Sequence, residues 1–256
     1  MPQAYICGNM EATSWYKDWF SSPYYHLLYQ NRDDSEAFQF IKRLINLLQP
    51  ITDATMLDVA CGKGRHSKAL AEMGFDVTGI DLSFSSIEAA KEFEDEHLHF
   101  YQHDMRLPFW INYYDFAFNF FTSFGYFKTR REHDNAIRTI AQSLKSNGIF
   151  VIDYLNAPYA STHLQHIDRK EIDGITFKIT RRQDDTHFYK DIHIDDAEHP
   201  GYRHAYSEKV AKFSLIDFTE MFTKQGLQVQ QVFGDYQLGN YNENDSPRLI
   251  IVAKKM

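Results

Sequence analysis

The chain has 256 residues, 43% of them hydrophobic, and a formal net charge of −8. That length and apolar content suit one large domain, or a domain carrying an insertion, around a buried core, while the acidic balance without a concentrated basic face argues against a nucleic-acid partner. Only two cysteines occur, Cys7 and Cys61, which excludes a disulfide framework or a four-cysteine metal site and suggests a reducing cytoplasm; with no run of about 18 apolar residues and no basic-then-apolar leader, a soluble, unexported chain with no membrane partner is expected.

The first periodic segment, SEAFQFIKRLINLL from Ser35, has apolar residues at helical spacing and stops before Pro50. It predicts a helix leading into a strand at 55–60. A helix over 65–73, a strand over 76–81, a helix capped by Ser83 and a short strand near 98–101 follow. The stretch YDFAFNF, 114–120, is nearly all apolar, as a central parallel strand covered on both faces is. A helix from about 130 to 145 ends at Ser146-Asn147-Gly148, a left-handed stop signal, before a strand at 149–154. This alternation predicts an α/β fold with a parallel sheet and crossover helices.

From about Thr162 the period changes. IDGITFKITRRQ, HFYKDIHIDD and GYRHAYSEKVAKF nearly alternate and are separated by Asp-Asp and His-Pro-Gly, so they predict three inserted antiparallel strands. A helix over 215–224 and strands at 227–233 and 248–254 then complete the core. The expected organisation is a lid and helix (1–50), a ligand-binding core (51–160), an inserted β-cap (161–213) and a C-terminal completion of the sheet (214–256).

The run LDVACGKGRHS, 57–67, carries the strongest chemical signal. Asp58, Ala60, Gly62 and Gly64 fall two apart, between a strand and a helix. Such a loop turns sharply and keeps side chains away from a ligand, which is the use of glycine there. The next strand, FDVTGID, ends in Asp81. An acidic residue about 20 positions on can accept both hydroxyls of a ribose, so the two features together predict an adenosine pocket. A dinucleotide fingerprint would need a third glycine where Ser67 stands. A carboxylate at Asp58 would also repel a pyrophosphate while suiting the ammonium of an amino-acid moiety. Cys61 fits the loop as a small packing residue.

At this point the residues resemble class I S-adenosyl-L-methionine-dependent methyltransferases, whose first motif reads acidic-x-Gly-x-Gly-x-Gly, with Ala60 here in place of the first glycine. The combination DVACGKGRH, GIDLS, HDM and SFGYF most resembles the small-molecule N-methyltransferases of the amino-sugar and glycine type, over about residues 24–160. The resemblance implies a Rossmann-like seven-stranded sheet with helices on both faces and an antiparallel last strand, and S-adenosyl-L-methionine as cofactor. Its implied cofactor residues are Asp58, Ala60, Gly62, Gly64, Asp81, Leu82, Asp104, Met105 and Asn119. Asp104 follows the third strand, where a carboxylate accepts the adenine amine or else caps the next turn. Met105 borders the ring, and the backbone near Asn119 faces the sulfonium. In the run PYYHLLYQNRDD, Tyr24 and Arg32 match the Tyr and Arg that hold the methionine carboxylate in such relatives, or else the tyrosine cluster only packs the lid helix.

Methyl transfer from a sulfonium needs alignment and exclusion of water more than an acid or base. Tyr126, where relatives often have His, is the candidate catalytic residue and, with Tyr154 and Asn156, a candidate for substrate binding. A base, if the acceptor requires one, is open among His26, Tyr126, Tyr154, His193 and His204. No pair of residues has metal-ligand spacing. The expected partner is a small soluble methyl acceptor, nitrogen before oxygen, and the chain is a monomer or homodimer. Transfer of an aminopropyl group, a noncatalytic cofactor-binding role and an NAD-dependent dehydrogenase are the alternatives. The cap, with Arg181, Arg182, His193, Arg203, His204 and Tyr206, is expected to set acceptor choice and not to hold the cofactor.

Overall fold

The computed structural model describes residues 15–29, 34–199 and 204–256. Two short helices, α1 (Trp15–Phe20) and α2 (Pro23–Leu28), precede α3 (Asp34–Leu48). The core continues as β1 (Thr55–Val59), α4 (Arg65–Ala71), β2 (Asp76–Asp81), α5 (Phe84–Ala90), β3 (Leu98–Gln102), β4 (Tyr114–Asn119), α6 (Arg130–Ser143), β5 (Leu144–Leu155) and α7 (Ala157–Thr162). After a β-cap, α8 (Leu215–Thr223), β10 (Leu227–Phe233) and β11 (Arg248–Lys255) close it.

Seven strands form one sheet in the order β10-β11-β5-β4-β1-β2-β3. β11 runs antiparallel to both neighbours, β10 and β5, and the others pair in parallel. Period-two alternation divides the core between the two faces. Leu57, Val59, Ala117, Phe150 and Ile152 pack against α6 and α8, whereas Met56, Phe116, Phe118 and Val151 pack against α3, α4 and α5. A capping box between Thr129 and Glu132 starts α6. The helix ends at Ser143, before the Ser-Asn-Gly stop. Asn147 takes the left-handed conformation (φ 66) within β5 instead.

The cap has four strands and not the expected three, in the order β6 (Ile167–Ile172), β7 (Ile175–Gln183), β8 (His187–Asp195) and β9 (Ala205–Ala211). β6, sequence IDRKEI, is an edge strand whose residues are exposed or half-buried, so it carries no apolar alternation to announce it. Its turn was nevertheless written in the chain: Asp173 and Gly174 both have positive φ (50° and 78°), as a two-residue hairpin of this twist requires. The cap's apolar face, Phe177, Ile179, Ile192 and Ile194, is covered by Trp19, Tyr24 and Leu28 of α1 and α2. The two short helices and the cap therefore share one small core.

Gly79 in β2 shows how tightly the main core is filled. A Cβ there would lie 2.6 Å from the Phe100 ring and 2.9 Å from Cys61 Sγ. Gly79→Ala is expected to lower stability by about 1–3 kcal/mol through overpacking, read as a drop in the urea midpoint at constant slope. An unchanged midpoint would show that Phe100 can yield.

Candidate functional site

A cavity of about 720 Å³ opens at the carboxyl ends of β1, β2 and β4. In the strand order this is where the connections reverse direction, between β1 and β4, the usual ligand crevice of an open α/β sheet. Its floor is the loop after β1. Ala60 and Gly62 line it with φ of 61° and 58°, a left-handed conformation that costs a non-glycine residue. A Cβ placed on Gly62 would meet no protein atom within 4 Å, whereas one on Gly64 would fall 2.5 Å from the Phe100 ring. Gly62 thus keeps the cavity open, and Gly64, off the cavity wall, lets the helix start pack on β3.

Asp81 stands at the end of β2 on the cavity wall. Its Oδ2 accepts a hydrogen bond from the Gly62 amide (2.9 Å) and its Oδ1 one from the Ser83 amide (2.8 Å). Burial raises its pKa above the ordinary carboxylate value, and these amides oppose that rise. A carboxylate has room for about four acceptor bonds, so each oxygen keeps a lone pair for a ligand hydroxyl. Leu82 and Met105 add apolar wall beside it. Thr139 Oγ1 donates to the Met105 carbonyl and anchors that segment.

Asp104 also lies on the wall, but Arg106 grips it by a fork, Nε to Oδ1 at 3.0 Å and Nη2 to Oδ2 at 2.7 Å. Burial alone would raise its pKa; the hydrogen bonds and charge of Arg106 outweigh burial and hold it low. Its Oδ1 also accepts from the Arg106 amide at 3.0 Å, so the carboxylate caps the following turn and is held in one orientation on the cavity wall.

Asp58 does not reach the cavity. It is 1% exposed and its Oδ2 accepts from Ser67 Oγ at 2.7 Å, so it ties the end of β1 to the first turn of α4. Burial drives its pKa up to about 7, with the Asp81 charge adding to the shift and the Ser67 hydrogen bond opposing it. An unfolded aspartate titrates near about 3.9. Between about pH 4 and 7 the folded chain thus holds a proton that the unfolded chain has lost, and stability falls as pH rises, by up to about 1.4 kcal/mol per pH unit. Asp58→Asn removes this component. The melting temperature of wild type relative to the variant is expected to decline across that window, and a constant difference would remove Asp58 from the account.

The other sequence candidates divide between the wall and the interior. Tyr126 is on the wall, its hydroxyl donating to the Thr122 carbonyl and its ring 5.4 Å from those of Trp15 and Phe20. Asn119 is fully buried: Nδ2 donates to the Val59 carbonyl at 2.9 Å and Oδ1 has no partner among the described residues, while the following Phe120 and Phe121 face the cavity. Tyr154 is buried beneath, donating to the Ala211 carbonyl at 2.5 Å and so joining β5 to the end of the cap. Asn156 bonds the carbonyls of Glu243 and Ser246 and pins the loop before β11. Tyr24 donates to Asp196 Oδ2 at 2.8 Å and points into the cap core; its neighbours Tyr25, His26 and Tyr29 face the cavity instead. Arg32 and Arg203 lie outside the described residues.

Besides His26, a candidate base in the sequence, several wall residues carried no sequence signal of their place there. Tyr16, Phe20, Tyr25 and Tyr29 roof the cavity, and Glu208 enters it from β9. His26 presents an Nε2 that is buried and without a partner among the described residues. Burial, helped by the Lys63 charge, pushes its pKa down to about 4, so the ring is neutral at pH 7. Phe121 and Thr122 take positive φ (61° and 58°). That segment is held by Asp153, which accepts from the Phe121 amide and pairs with Arg248 at 2.6 Å, while Arg248 also donates to Thr122 Oγ1.

An open loop with no Cβ at Gly62, an adjacent oriented carboxylate, an apolar flank and a second acceptor at Asp104 fit an adenosyl ligand. They define a class of open α/β protein that binds such a ligand at the β1/β4 reversal. The methyltransferase-domain family matches residues 29–232. The chain belongs to that family, the S-adenosylmethionine-dependent methyltransferases. It is 33% identical over 101 residues to the dTDP-3-amino-3,4,6-trideoxy-alpha-D-glucopyranose N,N-dimethyltransferase of Streptomyces venezuelae, covering 39% of this chain and 42% of the relative. A match to YqeM of Bacillus subtilis is 35% identical over 101 residues, 38% of this chain. The chain thus aligns with about two fifths of the length of either relative. Among solved structures, the sugar N-methyltransferase KedS8 from Streptoalloteichus superimposes with a TM-score of 0.74 at 22% identity, over 100% of this chain and 98% of that one. A likeness at that identity shows the shared fold.

Proposed function

We propose that the protein transfers the methyl group of S-adenosylmethionine to a small molecule, at nitrogen. The observation that carries this reading is the cavity itself: one enclosure of about 720 Å³ joins the Gly62–Asp81 loop to an aromatic roof drawn from the N-terminal helices. Its volume falls in the range of small-ligand pockets. The similarity to a dimethyltransferase whose name specifies an amino sugar supports nitrogen as the methylated atom.

The bound cofactor supplies an activated methyl on a cationic sulfur. The chain's part is to bind, orient and exclude water. The backbone of Ala60 and Gly62 and the Asp81 carboxylate hold the ribose end, Asp104 accepts the adenine amine, and Leu82 and Met105 flank the ring. Tyr16, Phe20, Tyr25 and Tyr126 close the opposite side, where aromatic faces favour a cation. Tyr126 borders the acceptor and His26 offers it a neutral hydrogen-bonding nitrogen.

Calorimetry with S-adenosylmethionine, S-adenosylhomocysteine and NAD, followed by mass spectrometry of a panel of amines and alcohols incubated with the cofactor, tests this. Binding of the first two ligands without NAD, and methylated amines, are expected. Tight NAD binding, or methylation confined to alcohols, overturns it.

A further inference from the structure

On the reading just proposed, the acceptor occupies the roofed end of the cavity, and the chemistry of that end selects it. Among the described residues the four-stranded cap contributes one side chain to the wall, Glu208 of β9. Every hydrogen bond and ion pair of its carboxylate falls on one oxygen. Oε1 accepts from Trp19 Nε1 at 2.7 Å, from the Tyr29 hydroxyl at 2.9 Å and from Lys190 Nζ at 3.4 Å. Oε2 accepts none among the described residues. The donors come from the lid helices and β8, so they fix the carboxylate's orientation and leave its second oxygen to the cavity. Lys190 is not on the wall, and its Nζ also reaches the Tyr29 hydroxyl.

The surroundings suit a cation. The Tyr25 ring lies 5.0 Å from those of Phe20 and Tyr29 and 5.5 Å from Trp19, and Phe20 lies 5.4 Å from Tyr126. The Glu208 side chain is 17% exposed, and a ligand ammonium meeting its open oxygen forms a charge-assisted bond while gaining attraction from the ring faces. A hydroxyl can donate to the same oxygen but brings no charge, and charge-assisted bonds are the stronger kind.

We propose that Glu208 Oε2 receives an N–H of the methyl acceptor, so that the acceptor is a small amine bound by the cap as its cation. The amine passes that proton to Oε2, which frees the nitrogen lone pair that takes the methyl as the neutral thioether leaves. Glu208 then sets acceptor class without touching the cofactor. This accounts for the cap meeting the cavity, among the described residues, at a single charged residue.

The test uses a matched pair of probes, cyclohexylamine and cyclohexanol, bound to the full chain saturated with S-adenosylhomocysteine and followed by tryptophan fluorescence. Wild type is expected to prefer the amine by about tenfold or more. Glu208→Gln, whose amide oxygen still accepts from Trp19 and Tyr29, should reduce the preference to about twofold or less and leave S-adenosylhomocysteine affinity within about threefold. Lys190→Met removes the neighbouring cation and should retain the preference. An amine bound no better than the alcohol by wild type, a preference that survives in Glu208→Gln, or its equal loss in Lys190→Met, which would mark a packing role, overturns the proposal. Failure of wild type to bind S-adenosylhomocysteine at all would instead overturn the methyltransfer reading on which it rests.

Discussion

Gly62→Val is expected to abolish binding of S-adenosylmethionine and its product, weakening both by more than about a hundredfold, or about 3 kcal/mol. Two effects act together. The position has φ 58°, where a β-branched residue is strained by about 1–2 kcal/mol, and the loop would shift to relieve it. The added carbons would also project into the space that the loop leaves open, since a Cβ there meets nothing of the protein within 4 Å. That same emptiness means no core contact is lost, so the circular dichroism spectrum should be nearly that of wild type. Calorimetry with S-adenosylhomocysteine reads the effect, and Gly62→Ala should fall between the two. Binding by the valine variant within about tenfold of wild type would show that the cofactor does not lie against this loop.

Asp81→Ala should weaken cofactor binding by about 2–4 kcal/mol, roughly thirtyfold to several hundredfold. The loss has two origins, because this carboxylate both faces the cavity and accepts the Gly62 and Ser83 amides. Hydrogen bonds to a charged acceptor are worth about 1.5–3 kcal/mol each, and the ligand hydroxyls lose theirs outright. The Gly62 amide loses its partner as well, so the loop is less well ordered before binding. Asp81→Asn separates the contributions, since its one carbonyl oxygen can keep a single amide bond. Affinity unchanged in Asp81→Ala by calorimetry would remove Asp81 from the ribose site.

Much of the architecture was legible because it rests on periodicities between chain neighbours. The helix from Ser35, the apolar strand at 114–120 and the change of period after Thr162 all reflect faces that must be buried, and they stand where the alternation placed them. β6 escaped because an edge strand exposed along its length has no buried face to pattern. The stop of α6 fell early for a related reason: Ser-Asn-Gly requires a left-handed residue, and β5 accommodates one as readily as a helix end does.

The site was legible in part. Ala60, Gly62, Asp81, Leu82, Asp104, Met105 and Tyr126 lie on one wall. Tyr24 and Tyr25 show why the rest was not. Adjacent helical residues point about 100° apart, so which tyrosine meets the cavity depends on how α2 docks. The bond from Tyr24 to Asp196 of the cap settles that, across 172 residues of chain. Asp58 likewise has the motif's chemistry, but Ser67 turns it inward.

What the sequence determined by itself is the local chemistry of a strand, a glycine-bearing loop and a second strand ending in a carboxylate, because spacing along a chain sets backbone geometry directly. What only the tertiary structure decided is the roofed end of the cavity. There, residues from α1, α2, the loop after β4 and β9 converge. Each is an ordinary tyrosine, phenylalanine or glutamate in its own segment. Their joint meaning comes from long-range packing between lid and cap, which no local period encodes.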